Sequence, residues 1–181
     1  MLAMRTNPEP VPELDIGNLF DAHAEELCRT VHRLTGSREV AEDLVQEAFV
    51  TAWRKRDDLT DPTYVRAWLY KVALNHVRHR RRSKARMAAF LERFTVHRVS
   101  AEAAPAPDEL LLRQANAAII RQTVAELSPK LKEVFVLYEL QSLSGQEVAD
   151  VLDIGVNTVW GRLRLARAAF RKAWERREQA Q

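Results

Sequence analysis

The sequence has little glycine and a single cysteine. Only five glycines occur among 181 residues, and none of them forms a glycine-rich loop of the kind that holds phosphates. The one cysteine, Cys28, excludes an intrachain disulfide and is typical of a reducing compartment. No run approaches the roughly 20 apolar residues that a membrane-spanning helix needs, and the N-terminus has no apolar signal segment. These absences predict a cytoplasmic protein without membrane insertion.

Charges of the two signs are unevenly distributed along the chain, and one stretch has no acidic residue. Residues 1–60 hold twelve Asp and Glu against seven Lys and Arg, whereas residues 76–86 hold six Lys and Arg and no acid. This asymmetry indicates an acidic face for one partner and a basic face for another. No Ser, His and Asp or Cys and His residues occur within a recognisable catalytic motif. The carboxylates are scattered over helix faces and do not form a pair of the kind used in catalysis. We therefore expect no enzymatic activity and no cofactor.

The alternation typical of strands is also absent, and apolar residues recur with the period of a helix. The helical pattern covers residues 15–86 and returns over 110–178. Residues 1–14 hold three of the seven prolines, which predicts a flexible tail. Residues 87–109 have weak periodicity, with one helical turn near Ala88–Phe94, and end in Ala/Pro alternation. The sequence therefore predicts an all-α protein of two small helical domains joined by a flexible linker.

In the first domain, one predicted helix separates an apolar side from a polar side. Its polar side carries Asp43, Gln46 and Glu47. A further helix carries Tyr64 and Tyr70, either of which is a candidate for stacking on a nucleobase or is a plain surface tyrosine. The apolar stripe opposite the acidic residues consists of Val40, Leu44, Val45, Ala48, Phe49, Ala52 and Trp53.

The second domain contains the pattern of a helix-turn-helix. Ser144 and Glu147 have the spacing of a capping box before a short helix. A tight turn follows at 153–155, in which Asp153 stands where glycine is common; Asp tolerates the left-handed conformation better than most residues. The next helix has an apolar edge on an otherwise cationic surface. In this motif the second helix enters the major groove of DNA.

The exposed residues of that second helix are candidates for DNA contacts. Arg pairs bidentately with guanine and Asn with adenine, and a residue near the helix N-terminus is well placed for a phosphate. The alternative interpretation is a solvated surface helix. The candidates are Asn157, Thr158, Trp160, Gly161, Arg162, Arg164 and Arg167.

Three segments resemble the sigma-70 family of bacterial transcription factors, and within it the small extracytoplasmic-function (ECF) group. The stretch "LSPKLKEVFVLYELQSLSGQEVADVLDIGVNTVWGRLRLARAAFR" looks like the C-terminal domain of these factors. The stretch "AEDLVQEAFVTAWRK" resembles their polymerase-binding segment, and "YVRAWLYKVALNHVRHRRR" resembles their promoter-melting helix. The resemblance covers residues 16–86 and 110–177.

The resemblance implies a factor that binds the clamp and flap of core RNA polymerase, recognises promoter DNA and catalyses nothing. Asp43, Gln46 and Glu47 match the clamp-docking segment, and the helix-turn-helix matches the reader of the minus-35 element. The family also implies an anti-sigma factor that silences the protein. For the minus-10 element, the matching residues are Asn75, Arg78, His79, Arg80, Arg81 and Arg82.

Alternatives from other classes stay open at this point. A stand-alone helix-turn-helix regulator would bind DNA as a dimer, and an adaptor, such as an anti-sigma antagonist, would use its basic helices only incidentally. The recognition helix also departs from the family, because "NTVWGR" stands where Gly-Thr-Val-Lys-Ser-Arg is common. Cys28 and His32 share a helix face, but no third ligand lies nearby in sequence, so no metal site is predicted.

Overall fold

The computed structural model describes residues 15–59, 62–92 and 111–179. Within these ranges it contains seven α-helices and no strand, which confirms the all-α prediction. The predicted tail over 1–14 lies outside the described residues. The helices are α1 (Ile16–Thr35), α2 (Arg38–Arg54), α3 (Pro62–Glu92), α4 (Leu111–Glu126), α5 (Pro129–Phe135), α6 (Gly145–Leu152) and α7 (Val156–Glu178).

Capping residues set the ends of the first two helices. The carboxylate of Asp15 accepts from the backbone N–H of Gly17 at 2.8 Å and so begins α1. Gly36 ends α1 with φ of 78°, a left-handed value that costs glycine little. Ser37 then caps α2, because its hydroxyl accepts from the N–H of Val40. The short turn brings α1 and α2 into contact along their lengths.

Five of the seven residues in the apolar stripe of α2 are buried as predicted, whereas Val40 is partly buried and Trp53 is exposed. Leu44, Ala48 and Ala52 are each at most 2% exposed, but Trp53 is 58% exposed. The position of Trp53 explains this outcome, since it lies seven residues after Gln46 and so falls on the same side of the helix.

Tyr70 of the next helix, α3, is a buried residue and not a surface tyrosine, because only 3% of it is exposed.

Helix α3 is longer than the sequence indicates. The sequence predicts a linker over 87–109 with one helical turn near Ala88–Phe94, whereas α3 continues without a break to Glu92. The segment "RMAAFLE" consists mostly of strong helix formers, which extends the helix although its apolar periodicity is weak. The rest of the predicted linker, 93–109, lies outside the described residues.

The second half is built from α4 to α7. Pro129 occupies the first turn of α5, where its missing N–H costs nothing. Helix α5 continues directly into a π-helical segment, Val136–Leu140, before the chain turns into α6. Helix α7 packs on α4, α5 and α6.

The buried residues of the two halves meet in one hydrophobic cluster. Leu69 and Leu74 of α3 belong to the same cluster as Leu137, Leu143 and Val148 of the second half. Helix α3 contacts α6 directly, and α1 contacts α4 and α5. The two predicted domains are therefore present and are packed against each other. No helix in the described ranges is both long and apolar enough to cross a bilayer.

Candidate nucleic-acid and polymerase interfaces

The helix-turn-helix has the local geometry that its sequence predicts. The N–H of Glu147 donates to the Ser144 hydroxyl at 3.2 Å, and the Ser144 N–H donates to the Glu147 carboxylate at 2.7 Å. Hydrogen bonding of its carboxylate by the backbone N–H and the side chain of Ser144 lowers the pKa of Glu147. Asp153 ends α6 with φ of 57° and ψ of 53°, the left-handed conformation expected at this turn. The capping box and the turn together set where α7 begins.

The apolar edge of α7 is buried against the rest of the second half. Val159, Leu163 and Ala166 are each at most 1% exposed, and Phe170 stacks on Phe135 with 4.9 Å between ring centroids. This packing fixes the rotation of the helix about its axis. Among the predicted DNA contacts it leaves Gly161 and Arg162 half-buried and the others exposed, namely Asn157, Thr158, Trp160, Arg164 and Arg167.

Trp160 lies against the first helix of the motif. Its indole contacts Gly145 so closely that a Cβ on that residue would stand 2.4 Å from Trp160 Cζ2. The same ring makes an edge-on contact with Tyr138, at 5.5 Å between centroids. Trp160 remains 44% exposed. Its contacts tie the recognition helix to α6 and to the π-helical segment.

Arg167, another predicted DNA contact, is held by neighbours within the second half. Its Nε donates to Glu139 Oε1 at 2.6 Å. Its guanidinium also lies over the ring of Tyr138, 5.7 Å from the centroid. Trp160 and Arg167 thus meet at Tyr138 from two sides, and both contribute to the orientation of α7.

The structure brings the six predicted minus-10 residues onto one helix, α3, but not into one environment. Asn75, His79, Arg80 and Arg82 are exposed. Arg78 instead points at the second half, where its guanidinium donates to both carboxylate oxygens of Glu133. Arg81 lies 3.8 Å from the same carboxylate.

The acidic residues of α2 form an exposed face. Asp43 lies one helical turn before the adjacent Gln46 and Glu47, and all three are exposed. Val50 and Trp53, at 47% and 58% exposure, continue the same face towards the end of the helix. We call these five residues the α2 docking face. Sequence reasoning missed Trp53, although its spacing of i+3 from Val50 and i+7 from Gln46 is the signal that locates it.

The α2 docking face contacts the helix that carries the minus-10 candidates. Nδ1 of His76 lies 3.1 Å from Glu47 Oε2. His76 directly follows Asn75 on α3. Among the described residues, no group of three His, Cys, Asp or Glu side chains has the arrangement of a metal site.

Each half of the chain matches a known protein family. The family described as Sigma-70 region 2 matches residues 19–87, and the family described as Sigma-70, region 4 matches residues 117–170. The chain belongs to the sigma-70 family. The first match covers α2 and most of α3, and the second covers the helix-turn-helix. Sigma-70 proteins are transcription initiation factors that bind DNA and are not enzymes.

Individual relatives place this sigma factor in the ECF group. It is 33% identical over 158 residues to the ECF RNA polymerase sigma factor SigL of Mycobacterium tuberculosis, covering 84% of this chain and 85% of the relative. It is 30% identical over 155 residues to the ECF RNA polymerase sigma factor SigE of Mycolicibacterium smegmatis. That match covers 84% of this sigma factor and 59% of the relative.

A solved structure has the same fold across both halves. It is the sigma factor RpoE of Bartonella quintana, crystallised in complex with the anti-sigma factor NepR. The TM-score is 0.71 at 20% sequence identity, and the likeness covers 89% of this chain and 97% of RpoE. The fold similarity therefore includes both the first half and the second half.

Proposed function

We propose that this sigma factor binds core RNA polymerase and directs initiation at promoters by recognising a minus-35 and a minus-10 element. The observation that carries the proposal is that one chain presents three distinct surfaces in the two matched regions. These are the α2 docking face, the cationic part of α3, and the recognition helix α7 in its helix-turn-helix.

The minus-35 element is assigned to the first turns of α7. Asn157, Thr158 and Arg164 are exposed there, and Arg162 and Gly161 are partly accessible. An N-terminal position on the recognition helix is where base edges are reached in this motif. Because Trp160 and Arg167 are engaged by other side chains of the second half, we assign them to holding the helix in its orientation.

The minus-10 element is assigned to α3. Asn75 is exposed one turn before a run of cationic residues that contains no acid. Closely spaced arginines repel one another, and the phosphates of DNA would relieve that repulsion, as Glu133 of α5 does here for Arg78 and Arg81. The phosphate contacts would be made by Arg78, His79, Arg80, Arg81 and Arg82.

Core polymerase is assigned to the α2 docking face. Asp43 and Glu47 supply negative charge, and Trp53 supplies a large apolar ring at the same surface. Exposed tryptophans that become desolvated in an interface are among the residues that contribute most to binding energy. The partner surface should therefore be basic, as expected of the polymerase clamp, and should offer an apolar pocket for the ring.

An anti-sigma factor is the proposed regulator. RpoE of Bartonella quintana, which shares the fold, is bound by the anti-sigma factor NepR. By that likeness we expect a protein of the same class to bind here.

The first experiment tests the polymerase surface. Asp43→Arg reverses one charge of the α2 docking face and should prevent co-purification with core polymerase, because it sets like charges against each other. The matched control is Glu25→Arg, whose side chain is 85% exposed on α1; this variant should assemble normally. If Asp43→Arg co-purifies with core polymerase as well as the wild type does, the α2 docking face is not the polymerase-binding surface.

The second experiment tests promoter reading by run-off transcription from a randomised promoter library with core polymerase. Arg164→Ala should weaken use of the minus-35 element by about 1–3 kcal/mol and relax base preference at one position. Arg171→Ala, further along the same helix, should weaken all sequences about equally, because phosphate contacts carry no sequence information. The proposed function would be refuted if core polymerase initiated equally well without the sigma factor. It would also be refuted if adding the wild-type sigma factor gave no initiation.

A further inference from the structure

Gly161 lies in the interior of the recognition helix, at a place where the fold gives no reason for a glycine. Glycine destabilises the interior of a helix relative to alanine. Among the described residues, apart from its two chain neighbours and the backbone of its own helix, no atom would lie within 4 Å of a Cβ on Gly161. At Gly145, by contrast, a Cβ would clash with Trp160, and Gly36 has a positive φ. The glycine at 161 is therefore required neither by packing nor by backbone conformation.

Gly161 is on the side of α7 that faces away from the rest of the second half. At about 100° per residue, it lies about 160° around the helix from Val159, which belongs to the buried edge and is 0% exposed. Asn157, one turn earlier, and Arg164, one turn later, are on the same side and are both exposed. We call the place of the missing side chain, between Asn157 and Arg164, the Gly161 gap. It is at the centre of the surface that the recognition helix offers to DNA.

Apolar side chains border the Gly161 gap. Leu165, one turn after Gly161, is 55% exposed, and the adjacent Trp160 is 44% exposed. Long side chains of a helix lean towards its N-terminus, so Leu165 leans over the turn that contains Gly161, but it stays more than 4 Å from the Cβ position. Trp160 is held in place by Gly145 and Tyr138. The gap therefore has apolar sides and room for a methyl group.

The major groove of DNA contains one apolar group of this size, which is the C5-methyl of thymine. The other groups on its base edges are hydrogen-bond donors and acceptors, and a polar group placed between Leu165 and Trp160 would lose water without gaining a partner. Asn157 and Arg164 supply hydrogen-bonding groups on either side of the gap. They are about 10 Å apart along the helix, or about three base-pair steps.

We propose that the Gly161 gap receives the C5-methyl group of a thymine in the minus-35 element, at a base pair between those read by Asn157 and Arg164. The inference rests on the proposed function, because it names a base that the recognition helix reads. Any side chain at 161 would occupy the place of the methyl group, and glycine leaves that place free. Burial of one methyl-sized group changes an affinity by about fourfold, so this contact would favour thymine by about that factor.

The experiment is run-off transcription with core polymerase from a promoter selected from the randomised library, at a limiting concentration of the sigma factor. In synthetic templates, each thymine of the minus-35 element, on either strand, is replaced singly by deoxyuridine, which removes only the methyl group. With the wild type, one of these replacements should lower promoter use by about fourfold. Gly161→Ala places its own methyl group in the gap. This variant should use the thymine template less well and should show no preference for thymine over deoxyuridine at that position.

A matched control and a folding control accompany Gly161→Ala. Ala168→Gly changes the same group at an exposed position of the same helix, seven residues further along, and should keep the wild-type preference for thymine. In thermal unfolding, Gly161→Ala should have the Tm of the wild type or a higher one, because its Cβ has room and alanine favours the helix. A lower Tm would show that the fold needs this glycine and would overturn the inference.

Three results on DNA would also overturn the inference. They are equal use of thymine and deoxyuridine by the wild type at every position of the element, an undiminished preference for thymine in Gly161→Ala, and a selected element that has no thymine on either strand between the pairs read by Asn157 and Arg164. Each of these leaves the proposed function intact, because the wild type still initiates from the unmodified promoter. Absence of that initiation would refute the proposed function, and this inference with it.

Discussion

The contact between Trp160 and Gly145 can be tested by adding a single methyl group. In Gly145→Ala the new Cβ would stand 2.4 Å from Trp160 Cζ2 and 2.6 Å from Cη2, whereas carbon atoms prefer about 3.5–4.0 Å. The indole must therefore move outward by about 1 Å or more. It would then lose its edge-on contact with Tyr138, which is worth about 0.5–1.5 kcal/mol.

Two opposing effects set the magnitude. Overpacking costs about 1–3 kcal/mol, while alanine in a helix is favoured over glycine by up to about 1 kcal/mol. We expect a net loss of about 1–2 kcal/mol, which lowers the Tm by roughly 2–8 °C for a chain of this size. The measurement is thermal unfolding of Gly145→Ala alone and in combination with Trp160→Ala.

The double-mutant comparison decides the matter. Without the indole, Gly145→Ala should be neutral or stabilising, because only the helix preference remains. An equal loss of stability in both backgrounds would show that the indole is not what limits this position.

Three further predictions concern the cap, the buried tyrosine and the docking face. Ser144→Ala should lower the free energy of unfolding by about 1 kcal/mol in a urea titration, while Ser144→Asp, which can still cap, should restore most of it. Burial raises the pKa of Tyr70 to about 12, so in an ultraviolet absorbance titration one of the three tyrosines should ionise near that pH, and Tyr70→Phe should abolish this step. Because burial favours the neutral phenol, its stabilisation of about 2–3 kcal/mol is present below pH 10 and is lost as the pH rises towards 12. Trp53→Ala should weaken binding to core polymerase by about 1 kcal/mol or more without lowering the Tm, since the ring is mostly exposed.

Local chemistry made much of the second half predictable. The capping box at Ser144, the left-handed Asp153 and the buried edge of α7 all follow from spacing and residue type alone. The sequence also indicated the exposed acids of α2, because helical periodicity separates them from the apolar stripe. These features depend on residues within a few turns of one another.

Contacts between distant residues were not predictable in the same way. Nothing in the neighbourhood of Arg78 indicates that its carboxylate partner is Glu133, 55 residues later. The burial of Tyr70 likewise depends on how α3 packs in the folded chain, which periodicity alone does not report. The sequence likewise does not show that Trp160 packs on Gly145 or that Arg167 contacts Tyr138 and Glu139.

The unbroken length of α3 has a mechanical consequence. Helix α3 packs on α1 and α2 in the half that would rest on polymerase, and further along it carries the arginines assigned to the promoter. From Pro62 to Arg82 it spans about 30 Å at 1.5 Å per residue. A tilt of about 7° at its start would displace the arginines by about 3.7 Å, close to the rise of one base pair. A small difference in the angle at which the start of α3 is held would therefore change which base pairs the arginines reach.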